Sequence, residues 1–261
     1  MLPVLYQVVI PFLLSAFVVI LIMFIAERYG SKTGGILGTL PSTIVVAFVF
    51  IAITKGTEFA ADAAAVVPAE LGINVIFLLI FAVLVHRSPL FAFIATFCIW
   101  IFLSSLLVIF QLNNIFLSVC IYLVSVVFTF LILEHKKKIN SKGQVTVTYT
   151  LKKILTRGIL AGIVIAIAVL LSNVNSIISG IFSVFPAILS STLLICVREH
   201  GADFAAGMAK SMAIGISSVA IYATIIHFLY PLYGIALGSI IAYMLSFFLT
   251  LMIYFTRGKI K

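Results

Sequence analysis

Residues 34–65 read GGILGTLPSTIVVAFVFIAITKGTEFAADAAA, and residues 179–210 read SGIFSVFPAILSSTLLICVREHGADFAAGMAK. The two segments align without a gap at an offset of 145 residues. Apolar sequences share alanine and isoleucine by chance, so the identities in glycine, proline and phenylalanine carry the comparison. They pair Gly35 with Gly180, Pro41 with Pro186, Gly56 with Gly201, and Phe59 with Phe204. The chain is therefore predicted to contain an internal repeat.

Composition predicts that this repeat lies in a membrane. Of the 261 residues, 64% are hydrophobic and 9% are charged, whereas about half of a soluble domain is apolar. The mean hydropathy is +1.35. In lipid every backbone polar group needs a partner inside the protein, and a helix supplies those partners within its own segment. We therefore predict an all-α integral membrane protein whose first partner is the lipid bilayer.

Nine apolar runs are long enough to cross a bilayer, which takes about 20 residues of helix. We number them spans 1 to 9 and place them at Val4–Ala26, Gly35–Ile53, Phe59–Val85, Pro89–Phe110, Ile115–Leu133, Tyr149–Leu171, Gly180–Val197, Phe204–Ile226 and Tyr233–Thr256. The sequence therefore predicts about nine transmembrane helices.

Basic residues predict the orientation of the spans, because loops rich in Lys and Arg stay in the cytoplasm. The connector after span 5 and its flank hold Lys136, Lys137, Lys138, Lys142, Lys152, Lys153 and Arg157. With this connector inside, the N-terminus lies outside and the C-terminus lies in the cytoplasm. Four further basic residues then fall in inner loops and one, Lys55, in an outer loop; the inner ones are Arg28, Lys32, Arg87 and Arg198. We predict a multi-pass protein of a cell membrane, plasma or inner.

The net charge of +9 follows from this topology and does not indicate a nucleic-acid partner. The basic connector has no aromatic interleaving and no recognisable nucleic-acid motif. Anionic lipid is the favoured counter-charge.

The repeat is predicted to be inverted. The offset of 145 residues carries spans 1–4 onto spans 6–9 and leaves span 5 unmatched. Five crossings, an odd number, separate equivalent points, so the second repeat faces the opposite way. The predicted units are repeat 1 at residues 1–112, span 5 with the basic loop at 113–148, and repeat 2 at 149–261. Inverted repeats recur in transporters, whose substrate sites lie near the midplane between the repeats.

Each repeat also resembles a known kind of small membrane protein. The order G-x5-P, followed by a charged residue directly before the glycine that opens an apolar helix (Lys55-Gly56, His200-Gly201), is similar to the GlpM-like four-helix membrane proteins. The resemblance implies a tandem of two such units, with span 5 and the basic linker added. It implies nothing about a substrate.

Ionisable residues inside apolar spans mark a candidate transport pathway, because each costs at least a few kcal/mol in hydrocarbon. Glu70 and Lys210 both fall near the midplane, and we expect them to pair across the repeat interface. Asp62 should share a broad face with Glu70, and Asp203 begins a helical stripe that ends at Lys210. The alternatives are a Lys210 that extends to the inner interface, a protonated structural Glu70, a wetted Asp62, and an Asp203 that is only a loop charge.

Pro41 and Pro186 lie about six residues into spans 2 and 7 and are predicted to kink or break them. A break would aim the N-terminus of a half-helix into the protein interior, where its free N–H groups suit an anion. The nearby hydroxyls that could assist are those of Ser42, Thr43, Ser190 and Ser191. A kink that serves packing alone is the alternative.

These features favour a small secondary transporter that moves a small solute or ion by alternating access, with proton coupling at Glu70 as a hypothesis. A non-transporting membrane subunit or scaffold of a complex is the main alternative, and a pore is less favoured. A lipid-acting enzyme is also less favoured, because the chain has no HExxH, Walker A or GxSxG motif.

No enzymatic activity, metal site or cofactor is predicted, because the four histidines are scattered and the three cysteines lie in apolar runs. The small residues Gly234, Gly238 and Ser239 in span 9 suit close helix contact, either within the chain or in a homo-oligomer.

Overall fold

The computed structural model describes residues 5–21, 41–133 and 150–257. Within these ranges the chain forms helices and turns and no β-strand. The helices are α1 (residues 5–21, of which Leu5–Val9 are π-helical), α2 (Ser42–Lys55), α3 (Thr57–Ala65), α4 (Val67–Leu84), α5 (Pro89–Ile109), α6 (Ile115–Leu131), α7 (Leu151–Leu171), α8 (Ser176–Ser183), α9 (Ala187–Gly215) and α10 (Ser217–Arg257). Some residues used in the sequence predictions lie outside the described ranges, namely Arg28, Lys32, Gly35, Lys136, Lys137, Lys138 and Lys142.

Four helical stretches are long and apolar enough to cross a membrane: Thr57–Leu84, Pro89–Ile109, Leu151–Leu171 and Ser176–Leu249. The last of these covers 74 residues and contains the separate helices α8 and α9 and most of α10. The shorter apolar helices are α1, α2 and α6. The predicted all-α class, with helices suited to a membrane, is confirmed at this level.

Two glycines interrupt the longest helices. Gly201 within α9 has a φ of 82°, and Gly234 within α10 has a φ of 72°. Side chains other than glycine rarely adopt such angles. Gly238 then packs on the Tyr230 ring of the same chain, because an added Cβ would lie 2.8 Å from a ring carbon. Packing within the chain therefore accounts for at least one of the small residues of span 9.

Span 3 is divided at Val66 into α3 and α4. Pro68, in the first turn of α4, has no N–H to donate to the preceding turn. Asp62 on α3 is exposed, whereas Glu70 on α4 is fully buried. The sequence predicted a broad shared face for these two side chains, and their burial differs: Asp62 lies on an exposed surface and Glu70 in the core.

The backbone repeats where the sequence repeats. Pro41 and Pro186 directly precede α2 and α9, with φ/ψ angles of −78°/42° and −76°/32°. At the end of α2, Gly56 has φ/ψ of 94°/164°, and Gly201 has 82°/178°. Both pairs lie 145 residues apart. The two segments therefore share their local conformation as well as their glycines and prolines.

Helix α4 lies at the centre of the described helices and packs against α5, α6, α9 and α10. Most of its side chains are buried. The approach of α6 is close, because a Cβ added at Gly72 would lie 3.1 Å from both the Ser125 hydroxyl and the Tyr122 Cα. The sequence assigned span 5 only the role of inverting the second repeat, but as α6 it is part of the core.

Contacts at one end of the helices join loops that the charge pattern places on the inner side. The His86 ring, just past α4, lies 2.8 Å from the Asp203 carboxylate on α9. Lys153, at the start of α7, forms an ion pair with Glu199 on α9. The described loops with predicted inner positions thus contact one another.

Contacts at the opposite end join segments with predicted outer positions. His227 Nδ1 of α10 lies 2.8 Å from the Ala61 carbonyl oxygen on α3. Asn173, after α7, donates to the Gln7 side chain of α1 at 3.2 Å. Phe116 at the start of α6 contacts Phe228, with ring centroids 6.4 Å apart.

Candidate functional site beside a break between two helices

A break in the helical backbone organises the candidate site. Helix α8 ends at Ser183 and α9 begins at Ala187, so Val184, Phe185 and Pro186 lie between two helices. The carbonyl groups at the end of α8 lose their helical partners there. The Val184 carbonyl accepts a hydrogen bond of 2.8 Å from Nδ2 of the buried Asn74 on α4. A side chain of repeat 1 therefore supports the break in repeat 2.

Glu70 lies one helical turn before Asn74 and has an exposed fraction of 0%. The Ser104 hydroxyl of α5 lies 3.0 and 2.9 Å from its two carboxyl oxygens. Trp100, one turn before Ser104, holds its indole N–H beside the same carboxyl group without the alignment of a hydrogen bond. The polar groups described beside Glu70 are thus a serine hydroxyl and an indole N–H.

The two ion pairs given above, His86 with Asp203 and Lys153 with Glu199, do not include Glu70. An ionised carboxylate buried without a cationic partner is costly. The site is therefore built to hold Glu70 together with a proton or with a positively charged ligand.

Aromatic rings connect Trp100 to the helix break. The Trp100 ring lies 5.0 Å from the Phe185 ring at an interplanar angle of 84°, and 6.5 Å from the Phe182 ring. Phe182 and Phe185 stack at 5.9 Å. Edge-to-face and offset arrangements of this kind are favourable. Together with the hydrogen bonds above, these ring contacts link seven residues, which we call the Glu70 cluster: Glu70, Asn74, Trp100, Ser104, Phe182, Val184 and Phe185.

Two buried polar atoms of the Glu70 cluster have no hydrogen-bond partner, namely Asn74 Oδ1 and Trp100 Nε1. Their residues are exposed by only 1% and 5%. The Asn74 amide cannot be turned around, because its nitrogen must donate to the Val184 carbonyl. An unsatisfied buried polar atom costs about 1–3 kcal/mol. A bound ligand or an ordered water would satisfy such atoms.

Lys210 does not form the predicted ion pair with Glu70. Its side chain is buried, and its Nζ lies 5.7 Å from the centroid of the Phe130 ring on α6. Phe130 lies eight residues beyond Tyr122, the point at which α6 approaches α4, which corresponds to about 12 Å along the helix. This axial offset separates the two charged side chains.

The two other predicted pathway acids also lie away from the Glu70 cluster. Asp62 is exposed on α3, and Asp203 is exposed at the inner end, where it pairs with His86. The predicted anion site at the break loses two of its donors, because Ser190 and Ser191 donate to carbonyl oxygens of their own helix at 2.6 and 3.0 Å.

Sequence reasoning identified Glu70 and Pro186 but missed Asn74, Trp100 and Ser104. A signal for Asn74 was present, since an amide four residues after a carboxyl group lies on the same face of an apolar helix. No spacing rule connects Glu70 with Ser104 or Trp100, because these residues meet through the packing of α4 against α5.

The described residues contain no group of three or more His, Cys, Asp or Glu side chains that could hold a metal ion. Fold and site together define the class, an all-α protein with long apolar helices suited to a membrane and a buried carboxyl group beside a helix break. No family model, curated protein or solved structure matches the chain.

Proposed function

We propose that the protein is a multi-pass transporter of a cell membrane that moves a small solute by alternating access and couples this movement to protons at Glu70. The observation that carries the proposal is the Glu70 cluster, a fully buried carboxyl group beside a broken helix. Broken helices and intramembrane carboxyl groups recur where transporters bind substrates and coupling ions.

The proposed architecture has nine spans in a 4+1+4 inverted repeat, with the N-terminus outside and the C-terminus in the cytoplasm. Its support is the pair of equal backbone conformations at Pro41 and Pro186 and at Gly56 and Gly201. The contacts that group predicted inner loops at one end and predicted outer segments at the other support the same topology. A tandem of GlpM-like units remains part of this proposal.

The Glu70 cluster takes residues from both repeats, as a site for alternating access requires. Four of its members belong to repeat 1 and three to repeat 2, where Phe182 lies in the last turn of α8 and Val184 and Phe185 lie at the break. A movement of one repeat against the other would therefore separate the Asn74 amide from the Val184 carbonyl and the Trp100 ring from Phe185. Separation on one side of the cluster at a time would expose Glu70 to the two faces of the membrane alternately.

The experiment measures proton movement driven by a solute gradient in proteoliposomes with an internal pH-sensitive dye. The solutes are a panel of amines, carboxylates, amino acids and sugars. We expect at least one solute to drive proton movement, and Glu70→Gln to abolish it, since glutamine keeps the shape of the side chain and cannot release a proton. Ser104→Ala should slow it, because Ser104 is the hydroxyl donor to Glu70.

Two matched variants control for general damage. Glu58→Gln removes an exposed carboxylate, and Ser105→Ala removes a hydroxyl that donates to the Ile101 carbonyl on the exposed side of α5. Both should behave as the wild type does. Unchanged solute-driven proton movement in Glu70→Gln would refute proton coupling at Glu70. A chain that moves no solute, co-purifies with a partner and responds to Glu70→Gln only in stability would instead be the scaffold.

A further inference from the structure

We propose that the ligand of the Glu70 cluster is a protonated amine with an apolar body, which exchanges with the proton of Glu70. The inference rests on the proposed function, whose substrate class it names. Three properties of the cluster carry it: an excess of hydrogen-bond acceptors, a wall of aromatic rings, and a carboxyl group that needs a positive charge when it is ionised.

The polar atoms of the cluster favour a ligand that donates hydrogen bonds. The Glu70 carboxylate accepts only, and the unpartnered Asn74 Oδ1 accepts only. The Val184 carbonyl has a second lone pair beside its bond to Asn74. Besides the Asn74 amide nitrogen, which donates to Val184, the donors of the cluster are the Ser104 hydroxyl and the Trp100 indole N–H, and both lie at the carboxyl group. An ammonium group would donate hydrogen bonds to both the Glu70 carboxylate and Asn74 Oδ1. An anion would instead be repelled by the carboxylate.

The aromatic wall favours an organic cation over a hydrated metal ion. Trp100, Phe182 and Phe185 are joined by Phe97, whose ring lies 6.3 Å from Phe185 and 5.2 Å from Phe77. Ring faces attract ammonium groups, most strongly when water is excluded. The same rings would enclose the apolar body of the ligand, as the apolar lining of ligand sites commonly does.

The exchange conserves charge and protons. The empty site holds the neutral carboxylic acid of Glu70, and binding of R–NH₃⁺ releases that proton and leaves a carboxylate paired with the ammonium group. The net charge of the site is zero both when it is empty and when the cation is bound, so neither state buries an isolated ion. One proton leaves for each cation bound, which is the stoichiometry of an antiporter.

Titratable groups on the helices around α4 have other surroundings. Lys210 lies over the Phe130 ring, Asp203 pairs with His86, and the Tyr122 hydroxyl donates to Ser217 at 2.9 Å. Helix α5 carries no charged side chain. Tyr222 on α10 is fully buried, and His227 contacts the Ala61 carbonyl. The proton exchanged on binding is therefore assigned to Glu70.

A spectroscopic test is available because Trp100 is the single tryptophan of the chain. The full-length protein in detergent is titrated with three compounds of similar shape: 2-phenylethylammonium, 2-phenylethanol and 3-phenylpropanoate. We expect a saturable change of Trp100 fluorescence with the ammonium compound, and binding at least about tenfold weaker for the alcohol and the carboxylate. Binding in weakly buffered solution should release one proton per cation. At low pH the apparent affinity should fall by up to about tenfold per pH unit, because protons compete for Glu70.

Variants separate the proposed contacts from general effects on folding. Glu70→Gln should lose cation binding and proton release, and Phe185→Leu should weaken binding several-fold through loss of one aromatic face. Glu58→Gln and Phe91→Leu, both at exposed positions, should bind as the wild type does. Elution as a single species confirms that each variant is folded. Repeating the titration in lipid discs with and without phosphatidylethanolamine distinguishes a free amine from a lipid amine, since only the latter would compete.

The proposal is overturned if the ammonium compound produces no saturable change, if the alcohol or the carboxylate binds as tightly, or if Glu70→Gln binds the cation as the wild type does. The liposome experiment separates this failure from that of the proposed function. Glu70-dependent proton movement driven by carboxylates or sugars and not by amines would refute the amine and leave transport standing. Cation binding with proton release, but no solute-driven proton movement for any solute, would refute transport and leave the amine site standing.

Discussion

The two repeats share a backbone plan and differ in chemistry. Proline and glycine pairs with dihedral angles that agree within about 15° mark the same points in both. The four polar members of the Glu70 cluster are all replaced at the matching positions of repeat 2: Glu70 by Gly215, Asn74 by Val219, Trp100 by Leu245, and Ser104 by Leu249. The two aligned segments thus share a backbone plan, whereas the four polar residues occur in repeat 1 alone.

Burial differs between the repeats in the same sense. Trp100 and Ser104 are each 5% exposed, whereas Leu245 and Leu249 are 46% and 37% exposed. Helix α6, which has no counterpart in the repeat, packs closely on α4. It also contacts equivalent positions of both repeats, because Tyr122 packs on Gly72 and donates to Ser217, 145 residues further on. The unpaired helix α6 therefore helps to place repeat 1 in the core of the protein.

The largest effect is expected from Gly180→Ala, which would disrupt a contact between the repeats. A Cβ added there would overlap the Ala63 carbonyl oxygen on α3, which is backbone and cannot rotate away. Gly180→Ala should cost about 3 kcal/mol or more, as overpacking against backbone does. The thermal unfolding midpoint in detergent should fall by about 6–12 °C. Ser176→Ala, at the half-buried start of the same helix, is the control, and a fall of less than about 2 °C in Gly180→Ala would contradict the contact.

A smaller effect tests whether the two glycine hinges are equivalent. A Cβ at Gly56 or at Gly201 would find no atom within 4 Å, so alanine acts there through backbone strain alone. Each substitution should cost about 1–3 kcal/mol, and the two costs should agree within about 1 kcal/mol. Thermal midpoints of the two variants and of the double variant measure this, with Lys55→Ala as the neighbouring control. Alanine tolerated at one glycine and not at the other would show that the hinges differ.

The sequence predicted the frame better than the site, for physical reasons. Hydropathy and the recurring glycines and prolines act locally, so they indicated apolar helices and the interruptions at Pro186 and Gly201 without tertiary information. The Glu70–Lys210 pair was predicted from depth alone, and depth does not determine which faces of two helices meet. Glu70 instead meets Ser104 because α5 packs on α4 at that level, and Asn74 meets a carbonyl that only the break makes available.

An effect of about 1 kcal/mol tests the contact of α6 with repeat 2. Tyr122→Phe removes the donor to Ser217 and keeps the ring that packs on Gly72. The loss should be about 0.5–1.5 kcal/mol, the typical net value of one hydrogen bond. The double variant Tyr122→Phe/Ser217→Ala should cost clearly less than the sum of the single variants, since the same bond is lost in all three. Additive losses in this cycle would argue that the two hydroxyls act independently.

The smallest expected effect concerns the acids that follow the two hinge glycines. Glu58 and Asp203 occupy equivalent positions and are both exposed, and the Asp203 carboxylate lies 2.8 Å from the His86 ring. Exposed pairs contribute about 0–1 kcal/mol, so Asp203→Asn should lower the thermal midpoint by no more than about 3 °C, and Glu58→Gln should leave it unchanged. The small loss in Asp203→Asn should vanish at high salt, which screens exposed charges. Because Asp203 lies outside the Glu70 cluster, Asp203→Asn should also retain solute-driven proton movement in proteoliposomes. Loss of that movement in a stably folded Asp203→Asn would extend the site to Asp203, beside the bend of α9 at Gly201. The two repeats would then differ at more positions than those of the Glu70 cluster.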